Sequence, residues 1–237
     1  MLPDPVKIGC VTLYNCDNLE LLRSLPDKSF DLNLDDPPYG LGKKWVSKGK
    51  YGFTLKPEEV EKMNRWDFIP PDDWFSETER VAKNRIIWGG NYMMDKLGSC
   101  RGPVIWNKMI HGFSLADGEM AWSSFDKPLR IIDCGMSIRS SDKKNSGGRW
   151  HGNQKPIFLY KKILQMYARP EWKILDTHLG SGTHAMACLD LGYELTACEI
   201  DKEYFDTAVK RIREYLSSHE KIFDSGEQVK LTEDDLF

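Results

Sequence analysis

The sequence predicts a single α/β domain, built on a mostly parallel sheet with helices on both faces. Three observations carry that expectation. Short apolar runs alternate with segments whose apolar residues recur at helical spacing. The 237 residues suffice for one sizeable core and not for two full catalytic domains. A glycine-rich strand-to-helix turn from Asp176 to Thr183 is the connection with which such folds bring backbone close to a ligand.

The elements follow in order. Val6 to Tyr14 and Phe30 to Leu34 read as short buried strands, and between them the leucines of Asn18 to Leu25 recur at helical spacing, giving a β-α-β opening. Gly40 to Gly52 is rich in Gly and Lys, a composition that suggests a mobile loop. Pro57 to Met63 and Pro71 to Ala82 read as helices with acidic first turns. Arg85 to Trp88, ended by Gly89-Gly90, is the next strand, and Val104 to Trp106 and Glu119 to Phe125 are two more. Ile138 to Gly152 turns polar and marks a second long loop. Beyond it come a helix (Gln154 to Tyr167), a strand (Lys173 to Asp176), a helix (Thr183 to Leu191), a strand (Glu194 to Cys198) and an amphipathic helix (Glu203 to Tyr215). From about residue 218 to 237 the chain is polar and mostly acidic, which reads as a solvated tail. The organisation is thus a first half to about residue 135, a short polar loop over 138–152, a second half over 153–217, and the tail.

Composition narrows the function classes. Hydrophobic residues make up 41% and charged residues 29%, globular values, and no segment is apolar enough over a sufficient length to span a bilayer. Residues 1–10 lack a basic-then-apolar signal pattern, so a cytoplasmic location is expected. Cys10, Cys16, Cys100, Cys134, Cys188 and Cys198 form no C-x-x-C pair and have no histidine at zinc-ligand spacing, so buried free thiols and no metal are expected. A net charge of −3 argues against nonspecific coating of nucleic acid, and local basic clusters must carry any such contact.

Two motifs carry chemistry. Asp36-Pro37-Pro38-Tyr39 ends an apolar run and presents a carboxylate, a proline carbonyl and an aromatic face on a stiff turn. An adenine amino nitrogen is a poor nucleophile because its lone pair is delocalised into the ring. Acceptors for its N–H groups, here the Asp36 carboxylate and the Pro37 carbonyl, favour a pyramidal nitrogen whose lone pair is free to attack, and Tyr39 offers a face for the base to stack on. Taken alone, the tetrapeptide reads equally well as an ordinary proline turn with a surface tyrosine. The second motif, Asp176 to Thr183, places Gly180 and Gly182 where a side chain would block a ligand, ahead of a helix N-terminus with free N–H groups. Glu199, at the end of the next predicted strand, stands where a nucleotide-binding fold puts the acid for ribose hydroxyls. A capping role ahead of the last helix is the alternative for it. A site that joins a planar, amino-bearing base to such a cofactor loop suggests methyl transfer from S-adenosylmethionine (SAM).

These motifs together resemble an amino-group DNA methyltransferase of the adenine-N6 type in the β arrangement, in which the catalytic half precedes the SAM half. Asp36-Pro37-Pro38-Tyr39 is similar to that family's catalytic motif, and Asp176-x-x-x-Gly180-Ser181-Gly182-Thr183 to its SAM loop. His151-x-x-Gln154-Lys155-Pro156 resembles the segment that closes over the methionine end of SAM. Asn15-Cys16-Asp17 resembles the element whose acid meets the SAM adenine. The resemblance implies a Rossmann-like, seven-stranded class I SAM-dependent methyltransferase that flips adenine out of double-stranded DNA. It implies Asp36, Pro37, Pro38 and Tyr39 as catalytic residues. Asp17, Asp36, Gln154, Lys155, Pro156, Asp176, His178, Gly180, Ser181, Gly182, Thr183 and Glu199 become the cofactor set.

The chain also departs from the family pattern. Thr177 and His178 replace the usual Pro and Phe, and Gly152 and Asn153 the usual Pro and Thr. Ile138 to Gly152 is short where larger relatives carry a recognition insertion, so specificity is expected to be short or to come from a second subunit, as in a homodimer. Lys43, Lys44, Lys48 and Lys50 around Trp45, with Arg139, Lys143, Lys144 and Arg149, are the candidate DNA contacts, although as solvated loops they would need no explanation. Cytosine-N4 methylation is the near rival and a catalytically silent SAM-fold binding protein the remote one. The intact acid, prolines, Tyr39 and glycines weigh against the latter.

Overall fold

The computed structural model describes residues 2–41, 67–111, 116–135 and 154–224, with side chains through 218. The expected helix over Pro57 to Met63, most of the two basic loops and the tail beyond 224 lie outside the described residues. Among the described residues nine strands form one sheet: β1 (Val6–Ile8), β2 (Val11–Tyr14), β3 (Phe30–Asp35), β4 (Ala82–Trp88), β5 (Val104–Asn107), β6 (Gly118–Ser123), β7 (Arg130–Asp133), β8 (Lys173–Asp176) and β9 (Glu194–Cys198). Their order across the sheet is β1-β2-β9-β8-β3-β4-β6-β5-β7. Five of the eight pairings are parallel. The helices are α1 (Asn18–Ser24), α2 (Asp72–Val81), α3 (Met94–Leu97), α4 (Ile157–Tyr167), α5 (Thr183–Leu191) and α6 (Lys202–Asp224).

The fold class is the expected one, and the differences are local. Val6 to Tyr14 is two antiparallel strands, because Gly9 takes φ +54° and turns the chain back on itself. β7 escaped sequence reading because it lies at the sheet edge with only Ile132 buried, so no period stands out. With these two additions the described residues give nine strands where seven were expected. The last helix runs to Asp224, past the expected start of the tail.

β3 shows why the sheet must be covered on both sides. Leu32 and Leu34 on one face and Asn33 and Asp35 on the other are all fully buried. β8 pairs with β3 through Leu32 opposite Ile174 and Asn33 opposite Leu175, while the following strands depart in opposite directions, β9 on one side and β4 on the other. That reversal opens a crevice at the carboxyl ends of β3 and β8. Both motifs follow those ends. α1 starts at Asp17, whose Oδ1 accepts the Leu19 and Glu20 N–H groups at 2.9 and 3.2 Å. α5 starts at Gly182 and stops at Gly192, which takes φ +74° while Tyr193 N–H closes on the Cys188 carbonyl at 3.0 Å. Among the described residues no helix is long and apolar enough to cross a membrane.

Candidate active site

A cleft of about 550 Å³ lies at the crevice, and residues from both motifs line it. This is within the usual size of ligand sites. Asp36, Pro37, Pro38 and Tyr39 form one wall, and His178, Gly180, Ser181, Thr183 and Glu199 another; Asp17, Gln154 and Lys155 also face it. The two motifs are tied directly. The Asp35 carboxylate, fully buried, accepts from Thr177 N–H at 2.9 Å, Thr177 Oγ1 at 2.8 Å and Asn33 Nδ2 at 2.6 Å.

His178 sits over that tie. Its Nδ1 lies 3.0 Å from Asp35 Oδ1, its Nε2 lies 3.0 Å from Asn18 Nδ2, and its ring meets Trp74 edge-on at 5.4 Å. Burial alone would lower the imidazole pKa, but the Asp35 hydrogen bond and charge raise it above its ordinary value. Burial likewise pushes Asp35 up, and the same imidazole holds it below the ordinary carboxylate value. Thr177 and His178, the departures noted in the sequence, therefore form a buried polar joint between β3 and β8. Trp74 Nε1 completes it by donating to Thr177 Oγ1 at 2.8 Å.

The glycine loop is held from its rim and from beneath. Glu199 Oε2 accepts the Gly180 N–H and Oε1 accepts the Asp201 N–H, both at 3.0 Å. Burial raises the Glu199 pKa despite those hydrogen bonds. The cap of the last helix is Asp201, whose Oδ1 accepts the Glu203 and Tyr204 N–H groups at 2.8 and 3.0 Å, and the Glu199 side chain faces the cleft. Below, Asp176 accepts from His178 N–H at 2.9 Å and pairs with His184 Nδ1 at 2.9 Å; the His184 ring stacks on Tyr160 at 4.6 Å.

Three of the expected cofactor residues are not among those lining the cleft. Asp176 is 2% exposed and acts under the loop as its scaffold. Pro156 is buried at the start of α4. Gly182 is required for another reason than the one expected: a Cβ there would lie 3.0 Å from Ile212 Cδ1 on α6, and φ is +78°. Only Gly180 fits the original argument, with φ +50° and nothing nearer its Cβ position than the His178 carbonyl at 3.7 Å.

On the other wall, Tyr39 is 8% exposed, its ring stacked on Tyr92 at 5.5 Å and seated against Gly89, where a Cβ would collide with it at 2.2 Å. Its hydroxyl donates to Asp36 Oδ1 at 2.7 Å and accepts from Lys155 Nζ at 3.0 Å. Burial, then the charge of Asp36, pushes the phenol well above its ordinary pKa. Lys155 ion-pairs with Asp36 and reaches Glu119 at 3.3 Å; Lys108 holds the other Glu119 oxygen at 2.7 Å. Burial alone would raise Glu119, but the two ammonium groups bring it down to about 2. Glu119, Lys108 and Tyr92 carry no motif, and only the fold brings them to the site.

Lys43, Lys44, Lys48, Lys50, Arg139, Lys143, Lys144 and Arg149 lie outside the described residues, as does His151. Among the described residues no group of three or more His, Cys, Asp or Glu side chains could hold a metal ion.

The strand order, the crevice and the glycine loop define a class I SAM-dependent methyltransferase fold. Solved structures agree. The chain aligns with the M1.HpyAVI–SAM complex at TM-score 0.56 and 19% identity, over 85% of this chain and 99% of that one. With the PvuII DNA methyltransferase, described as cytosine-N4-specific, the TM-score is 0.55 and the identity 14%, over 90% and 93%. The N6/N4 methyltransferase family model, described as DNA methylase, matches residues 135–210. The type II methyltransferase M.HinfI of Haemophilus influenzae is 28% identical over 259 aligned positions, covering 90% of this chain and 71% of that protein. M.ScaI of Streptomyces caespitosus is 25% identical over 246, covering 85% and 81%. In sequence and in fold the chain is thus similar to amino-group DNA methyltransferases.

Proposed function

We propose that the chain transfers the methyl group of SAM to the N6 amine of adenine in double-stranded DNA, with the target base flipped out of the helix into the cleft. The observation that carries this reading is the convergence of Asp36-Pro37 and the Gly180 loop on one cleft from adjacent strands. SAM supplies the electrophilic methyl. The residues around Gly180 fit such a ligand, because the Cβ direction there is open and a half-buried carboxylate, Glu199, stands at the rim. In this reading Glu199 meets the ribose and Asp17 the adenine end, and Asp17 Oδ2 is not used by its capping bonds. Asp36 and the Pro37 carbonyl accept the target N–H groups and aim the nitrogen at the methyl group. The displacement is direct and uses no covalent enzyme intermediate.

Adenine is favoured over cytosine by the leading Asp of the tetrapeptide. DNA phosphates are met by the basic residues around Trp45 and Arg149, and the short loop over 138–152 implies relaxed recognition or readout shared with a second subunit. Incubation with SAM and mixed-sequence DNA, digestion to nucleosides and mass analysis test the reading. N6-methyladenine is the expected product; N4-methylcytosine would transfer the same geometry to the other base, and neither product would refute the activity.

A further inference from the structure

One oxygen of the Asp36 carboxylate, Oδ1, is already occupied. Lys155, with a side chain only 2% exposed, directs its ammonium at Asp36, at the Tyr39 hydroxyl (3.0 Å) and at Glu119 (3.3 Å). Tyr39 donates to the same Asp36 oxygen at 2.7 Å. The ammonium adds full charge attraction to its hydrogen bond with the carboxylate, which a neutral base amine does not bring, so a base amine does not displace Lys155 from Oδ1 unaided. A second carboxylate beside it changes the balance. Glu119 is fixed on β6, with Lys108 holding one oxygen at 2.7 Å and the other turned to Lys155 and, at 3.4 Å, to Tyr39.

We propose that Glu119 is a positioning residue for methyl transfer: it is the alternative seat onto which Lys155 moves when the target amine takes Asp36. The movement is small, a shortening of the 3.3 Å contact by roughly half an ångström. The ammonium stays paired throughout, so no charge is stranded in the cleft. Lys108 opposes the move, because it competes for the same carboxylate. The inference rests on the reading of Asp36 as the acceptor for the target amine.

Glu119→Gln leaves Lys155 on Asp36 and reduces the fraction of enzyme able to accept a base. KM for DNA should rise about tenfold while kcat changes much less and the SAM dissociation constant is held. Lys108→Met should act oppositely and lower KM for DNA about threefold, an effect that mere structural damage does not produce. In a Lys155→Met background, adding Glu119→Gln should leave KM where Lys155→Met put it.

Radiolabelled methyl incorporation into unmethylated mixed-sequence plasmid DNA gives KM and kcat, and calorimetry gives SAM affinity. The inference is overturned if Glu119→Gln lowers kcat without moving KM, if both single variants shift KM in the same direction, or if the effects add in the Lys155→Met background. Should Glu119→Gln fail to fold, Lys108→Met and its combination with Lys155→Met decide by the same criteria. A wild-type chain that binds SAM and methylates no DNA would instead remove the underlying reading.

Discussion

Replacing Gly180 and Gly182 one at a time by alanine should separate two roles that look identical in sequence. At Gly182 the methyl would sit 3.0 and 3.1 Å from two carbons of Ile212, which is fully buried, and φ is +78°. The left-handed backbone costs about 1–2 kcal/mol for a residue with a Cβ. The overpacking adds about 1 kcal/mol, the lower end of its range, because a side-chain end and not backbone must yield. At roughly 2–4 °C per kcal/mol for a domain of this size, Gly182→Ala should lower Tm by about 4–12 °C. SAM affinity of the folded protein should stay within about threefold, since the substitution points at α6 and not at the cleft. Gly180→Ala meets no core atom, so only the backbone term applies and Tm should fall by about 2–8 °C. Its methyl faces the cleft, and SAM should bind at least about tenfold more weakly, a loss of roughly 1.4 kcal/mol. Calorimetric unfolding and SAM titration on both variants check this. Equal SAM losses in the two, or a Gly182→Ala protein that melts with the wild type, would refute the division.

Other outcomes follow from the same geometry. Asp36→Ala should abolish methyl transfer and keep SAM affinity within severalfold, as read by turnover beside calorimetry; a turning-over variant would remove Asp36 from the mechanism. Tyr39→Phe should retain much activity and Tyr39→Ala little, because alanine also empties the space between Tyr92 and Gly89; similar losses in both would assign the role to the hydroxyl links with Asp36 and Lys155. The raised pKa of His178 means its pairing with Asp35 adds stability that is complete below the ordinary value of 6.5 and is lost as pH rises through the folded value. Asp35, lowered from 3.8, adds stability above that ordinary value that is lost as pH falls through its own folded value. His178→Phe should therefore flatten the alkaline limb of a Tm–pH profile, and an unchanged limb would deny the pair that role.

Sequence alone exposed what repeats across a local period or clusters in a short motif. Asp36 to Tyr39 and Asp176 to Thr183 are contiguous and stand out in the sequence, and the fold sets them at the ends of adjacent strands. Glu119 and Lys108 leave no such trace, because an isolated acid on a strand and an isolated base just past the end of another become a pair only through the antiparallel pairing of β5 and β6. Thr177 and His178 were visible as departures, but their meaning depends on Asp35, which is distant in sequence. Gly182 reads in sequence as a position where a side chain would block a ligand, whereas Ile212 is what lies against it, since turn chemistry does not say what lies behind a turn. The edge strand β7 lacks buried alternation, as Ile131 at 62% exposure illustrates, and the reversal at Gly9 that divides Val6 to Tyr14 leaves no mark in the apolar pattern.

The joint between Asp35 and Thr177 spans 142 positions of chain. Neither motif acquires its working shape from its own neighbours alone, since each carboxyl-terminal turn is braced by the strand beside it. The cleft therefore forms only after the most distant parts of the polypeptide have met, a step governed by slow loop closure and not by local helix formation. A refolding chain should regain helical signal before it regains any capacity for the cofactor. A partly folded or severed polypeptide then stays inert toward both cofactor and nucleic acid, because half of the assembly contains no half of the activity.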